Sequence, residues 1–156
     1  MTYIKRIPAF SWLMIFQPND WGAIVIQPCS TDNAGRVLLV LDDDAAVRES
    51  LKFSLEIEGF EVRDYASAHE LLDDNSLPAF SCLIVDYHMP EMSGLEVIDR
   101  LREKRKRLHA ILITGHPDQS IRDGADAVGV PIVEKPFQRG ALTDCIHKML
   151  AMANEE

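Results

Sequence analysis

From residue 36 to residue 152, five short apolar runs alternate with five stretches whose apolar residues recur at helical spacing. Strands that alternate with helices in this way read as βαβ units, and chained βαβ units build a parallel sheet with helices packed on it. The third run constrains the fold most. Cys82 to Val85 is apolar without interruption, the pattern of a strand buried on both faces, and it stops at the carboxylate of Asp86. Met89-Pro90 and Ser93-Gly94 then impose a turn, because Pro fixes φ and Gly tolerates backbone that other residues avoid.

The other elements follow in order. Val37–Leu41 is a strand closed by Asp42-Asp43-Asp44, and Asp44 can cap a helix running to about Glu58 with Val47, Leu51 and Leu55 on its buried face. Gly59 ends that helix, and the more polar run Phe60–Asp64 suits an edge strand. Ser67 and Glu70 have capping-box spacing and open a short helix through about Asp74; Ser93 and Glu96 do the same for a helix from Leu95 to about Lys104. His109–Thr114 is the fourth strand, and Pro117 suits the first position of a fourth helix that Gly124 weakens. Pro131–Glu134 is the fifth strand, and Leu142, Cys145, Ile146 and Met149 line one face of the last helix. The expected fold is a doubly wound, five-stranded parallel sheet of flavodoxin-like order 2-1-3-4-5, with helices on both faces.

Residues 1–35 differ in kind. Phe10–Phe16 and Ala23–Ile26 can form a hairpin across Gln17 to Gly22, although an extension without a role fits slightly better, and Ser30–Gly35 reads as a linker. This makes residues 1–35 an extension, 36–152 the folded domain and 153–156 a tail. No stretch reaches the roughly 18 apolar residues of a membrane span, and Pro8 breaks the run that would otherwise hint at a leader peptide. Cys29, Cys82 and Cys145 are odd in number and widely spaced, as for reduced thiols in the cytoplasm. Net charge is −9, all of it after residue 35, which makes direct nucleic-acid binding an unpromising role. The one basic run, Arg102 to Arg107, reads as a solvated helix end that complements the helix dipole.

Polar groups close four of the strands: Asp42 and Asp43 on the first, Asp86 on the third, Thr114 on the fourth and Lys135 after the fifth. A parallel sheet puts these ends on one edge, and the first and third strands are neighbours at the point where the winding reverses. Three carboxylates there repel by roughly 4 kcal/mol per pair at ~4 Å and an effective dielectric of ~20, so they call for a cation. An all-oxygen site without histidines at zinc spacing suits Mg²⁺. With the metal in place a carboxylate can attack phosphorus, while Lys135 adds positive charge and Thr114 offers a hydroxyl.

Val-Leu-Asp-Asp-Asp at 40–44, Leu-Ile-Val-Asp-Tyr-His-Met-Pro-Glu-Met-Ser-Gly at 83–94, Leu-Ile-Thr-Gly-His at 112–116 and Glu-Lys-Pro-Phe at 134–137 resemble the receiver domains of two-component response regulators, nearest to the FixJ type. The resemblance implies that Asp86 accepts phosphate and that Asp43 and Asp86 bind Mg²⁺ directly. Asp42 would act through water, and the backbone carbonyl of His88 would be a further ligand. Thr114 and Lys135 would be the switch hydroxyl and the phosphoryl-sensing lysine, with a cis bond before Pro136. His88 and His116 would border the phosphoryl pocket. The partners implied are a sensor histidine kinase or phosphotransfer protein, met by the first helix, and a downstream target or second copy, met by the fourth helix, fifth strand and fifth helix.

The chain departs from the pattern where Ile132 replaces the usual aromatic three residues before the lysine, and the span from Thr114 to Lys135 is one residue short. No output domain follows residue 156, which reads as a stand-alone regulator. Two other readings fit part of the pattern. Asp42-x-Asp44 resembles the nucleophile motif of haloacid-dehalogenase-like phosphatases, with Asp42 as nucleophile, but that reading leaves Asp86 idle. A receiver-like binding module that is never phosphorylated would not need the full acid set.

Overall fold

In the computed structural model the described residues are 36–78, 81–105, 107–138 and 140–154. The proposed hairpin and linker of residues 1–35 lie outside them. Strands β1 (Val37–Leu41), β2 (Glu61–Tyr65), β3 (Ser81–Asp86), β4 (His109–Thr114) and β5 (Ile132–Glu134) alternate with helices α1 (Ala45–Ile57), α2 (Ala68–Asp73), α3 (Gly94–Lys104), α4 (Gln119–Ala127) and α5 (Ala141–Asn154). All neighbours pair in parallel, in the order β2-β1-β3-β4-β5 expected from the sequence.

Each central strand is apolar on both faces, and its residues divide between two cores with a period of two. Leu39, Leu41, Leu83, Val85, Ala110 and Leu112 face Leu71 of α2, Val97, Ile98 and Leu101 of α3, and Ile121 and Ala125 of α4. Leu38, Val40, Cys82, Ile84, Ile111 and Ile113 face Leu51 and Leu55 of α1 and Leu142, Ile146 and Leu150 of α5. This double burial seats β3 between β1 and β4, so Asp86 is presented from the centre of the sheet.

Several boundaries differ from those read in the sequence. The second strand runs from Glu61 to Tyr65, because the Phe60 N–H is spent closing α1 onto the Leu55 carbonyl (3.2 Å). The Ser67–Glu70 box is only half made: Ser67 Oγ accepts from the Glu70 N–H, but the Glu70 carboxylate accepts from Ala66 rather than Ser67. The Ser93–Glu96 box is complete and starts α3 at Gly94, one residue before Leu95. Pro117 is not in the fourth helix, since Asp118 caps it by accepting from the Ile121 N–H (2.9 Å) and the helix starts at Gln119. The fifth strand begins at Ile132, not Pro131.

The basic run is not a merely solvated helix end. Arg102 donates to the carbonyls of Leu108 and Val128, Lys104 to that of Leu72, and Arg105 to those of Leu77 and Pro78. These guanidinium groups donate to carbonyls of the connecting segments, and so tie those connections to the end of α3. Among the described residues, no helix is long and apolar enough to cross a membrane.

Candidate functional site

Asp42 follows the last residue of β1, Asp86 ends β3, and the register pairs Leu41 with Val85, so the two carboxylates leave adjacent strands at nearly the same height. One carboxylate oxygen from each of Asp42, Asp43 and Asp86 can be chosen so that all three lie within 4.8 Å of one another. Asp42 and Asp86 are buried and Asp43 is exposed, so the cluster opens to solvent on the Asp43 side.

Lys135 closes the other side. Its Nζ donates to Asp42 Oδ2 and Asp86 Oδ1, each at 2.9 Å. The backbone steers it there, since the Lys135 N–H bonds to the Thr114 carbonyl (2.9 Å) and the following Lys135–Pro136 bond is cis, as the sequence implied. Thr114 is fully buried at the end of β4, next to the Ile113 that pairs with Asp86. Its hydroxyl accepts from the His116 N–H (3.4 Å) and makes no bond to the acids. The His88 and His116 side chains are exposed, and the His88 ring packs edge-on to Tyr87 with centroids 4.9 Å apart. Ile132, at the position of the usual aromatic, is partly buried against the core.

The family model for the response regulator receiver domain matches residues 38–147, more than half of the chain. The chain belongs to the response regulator receiver family. Over 151 aligned positions it is 34% identical to the response regulator protein TodT of Pseudomonas putida, covering 89% of this chain and 65% of TodT. Over 117 positions it is 34% identical to the transcriptional regulatory protein FixJ of Bradyrhizobium diazoefficiens, covering 74% of this chain and 57% of FixJ. This receiver therefore spans less than two thirds of these relatives. A solved structure of the Vibrio cholerae chemotaxis protein CheY4 superposes with a TM-score of 0.67 at 25% identity, covering 73% of this chain and 98% of that one.

Within this receiver, burial drives Asp86 above the ordinary carboxylate range; Lys135 pulls it back down, and the charges of Asp42 and Asp43 push it up again. Burial also opposes charge on Lys135, yet the bonds to Asp42 and Asp86 hold its ammonium above the usual lysine value. Lys135 thus stays protonated throughout the physiological range. An acid whose folded pKa is raised contributes stability that is complete below its unfolded value and is lost as pH rises through the folded value. Metal-free Asp86→Asn is therefore expected to melt above wild type at pH 7, with the gap closing as pH approaches 3. Thermal unfolding in EDTA across that range tests it, and a gap of constant size or opposite sign would refute the assignment of Asp86 as the frustrated acid.

Two further residues support the site in ways the local sequence pattern does not specify. Arg48 on α1 donates to the Asp42 carbonyl (2.9 Å) and pairs with Asp64 at the end of β2, which fixes the loop carrying the acids. Gly94 is needed for close approach: a Cβ there would lie 2.6 Å from the Asp86 carbonyl oxygen and 2.9 Å from Leu112 Cδ1. Its N–H also donates to the Tyr87 carbonyl (3.0 Å), closing the loop after β3. The signal for Gly94 was present in the Ser-Gly pair but reads equally as a simple turn.

Proposed function

We propose that this receiver takes a phosphoryl group onto Asp86 from the phosphohistidine of a sensor histidine kinase or phosphotransfer protein. The observation that carries the proposal is the single ammonium of Lys135 bridging Asp42 and Asp86 inside an otherwise anionic cluster. Mg²⁺ would be held by Asp43, Asp86 and the His88 backbone carbonyl, with Asp42 acting through water; the all-oxygen donor set of hard carboxylates fits that ion. When bound, it neutralises charge between the incoming phosphoryl oxygens and the acids.

In the transfer, one Asp86 oxygen forms the new bond to phosphorus while the nitrogen–phosphorus bond of the donor breaks, and imidazole leaves with the electron pair. Lys135 remains charged and can exchange a carboxylate contact for a phosphoryl oxygen. Thr114 can release the His116 N–H and offer its hydroxyl to another. The only chemistry is then the gain and loss of the protein's own phosphoryl group, which makes it a regulator. Output would pass by protein contact to a downstream target or a second copy through α4, β5 and α5. The net charge of −9 supports that route over direct contact of this domain with nucleic acid.

The burial of Asp42 speaks against the phosphatase alternative: one of its oxygens accepts from the Asp44 N–H and the other from Lys135. Incubation with Mg²⁺ and acetyl phosphate should add one phosphoryl group by intact mass, and Asp86→Asn should abolish the addition. An adduct that survives Asp86→Asn and vanishes in Asp42→Asn would replace this reading with the phosphatase one.

A further inference from the structure

Among the described residues, three large apolar side chains stand open to solvent: Phe53 and Ile57 on α1 and Met152 on α5. Phe53 and Ile57 keep 68% and 54% of their exposure, and a spacing of four puts them side by side on one stripe of the helix. Exposed Glu49 and Glu56 border the pair, one turn before Phe53 and one turn after it. The two cations of α1, Arg48 and Lys52, are engaged by Asp64 of β2, so the stripe is apolar with an acidic rim.

A face of two side chains falls far short of the roughly 20–30 residues a side that hold separate proteins together. A segment of the same chain needs much less, because its tether supplies a local concentration on the millimolar scale. Such a segment enters at the right place. Val37 at the start of β1 pairs with Glu61 at the start of β2, so the preceding chain arrives at the sheet edge where α1 ends with Ile57. The linker of residues 30–35 spans about 20 Å when extended, as long as the 13-residue α1. Farther along lies the apolar run Phe10–Phe16, preceded by Lys5 and Arg6, the two cations of residues 1–35. We infer that Phe10–Phe16 packs on the Phe53–Ile57 stripe of α1 and brings Lys5 and Arg6 to the acidic rim. The rings of Phe10, Trp12 and Phe16 then leave water together with Phe53 and Ile57, and the opposite charges set the direction in which the segment lies.

Both tryptophans of the chain, Trp12 and Trp21, precede residue 36, so in a Trp21→Phe background the emission reports on Trp12 alone. In that full-length protein at low concentration, Trp12 should emit toward the blue and be quenched by acrylamide severalfold less than in a free peptide of residues 1–30. Adding Phe53→Gln and Ile57→Gln, at exposed positions outside the core, should raise quenching to the peptide's level while far-UV circular dichroism stays unchanged. Peptide-like quenching before those substitutions would overturn the inference and leave the face to a separate partner. Protection that fades on dilution, with a matching change in sedimentation, would overturn it in favour of a second copy. Protection that survives both substitutions would place the segment elsewhere and overturn it too.

Discussion

Gly94→Val is expected to lower the stability of the domain by about 3 kcal/mol, the upper part of the range for forcing extra atoms into a packed site. The Cβ would meet a backbone oxygen, that of Asp86, at 2.6 Å, and a backbone atom in a central strand has nowhere to go. Leu112 at 2.9 Å blocks the sideways escape. The helix must back away from the sheet instead, and the loop from Tyr87 to Ser93 moves with it. Gly94→Ala should fall between wild type and valine: the same clash occurs with one methyl, offset by about 0.4–1 kcal/mol from a stiffer unfolded chain. Urea titration should show a reduced midpoint with an unchanged slope, graded Ala then Val, together with slower phosphoryl uptake. A Val variant as stable as wild type would mean that α3 does not rest on Asp86 as described. By contrast, the Cβ that Gly124 lacks would meet only a side-chain tip, Leu95 Cδ1 at 2.9 Å, so its helix can adjust.

Lys135→Met should cost about 2 kcal/mol at pH 7 in metal-free buffer, short of the roughly 3–5 kcal/mol seen when one member of a fully buried ion pair is removed. The reduction reflects the lysine side chain, which retains 24% of its exposure, whereas the Asp42 side chain keeps 1%. Without the ammonium, Asp42 and Asp86 face each other and Asp43 with no countercharge. The penalty exists only while the acids are ionised, so it should shrink as pH falls toward 3, where protonation removes the repulsion. Added Mg²⁺ should restore part of the loss at neutral pH by replacing the missing positive charge. Unfolding free energies measured across pH, with and without Mg²⁺, test both statements. A loss independent of pH would assign Lys135 a packing role instead.

The fold was legible because its strands are unusually plain. Uninterrupted apolar runs from Val37 and from Cys82, each halted by aspartate, specify double burial, and the alternation with helices leaves few topologies. The acids and the lysine were legible for the same reason, since the end of a parallel strand defines where a side chain goes. What local pattern could not convey was competition between neighbouring partners. The spacing of Ser67 and Glu70 satisfies a capping box, but the choice between the Ala66 and Ser67 N–H groups is decided by the turn leaving β2. Pro117 and Asp118 are both good helix starters, and the carboxylate cap won. Arg102 in the last turn of α3 and Arg105 just after it read as free in the sequence because their carbonyl partners at Val128, Leu77 and Pro78 lie 26–28 residues away.

The Lys135 bridge has a consequence for a chain emerging from the ribosome. Its two acceptors precede it by 93 and 49 residues. At 5–20 residues per second, roughly 2–10 s separate synthesis of Asp86 from synthesis of its lysine. The strand that delivers the lysine is three residues long and pairs only with β4, so it can dock only after β4 is in place. During that interval the acids are present without the group that holds them. On the proposed function, the complete site would therefore exist only once the final strand has docked and brought Lys135 to Asp42 and Asp86.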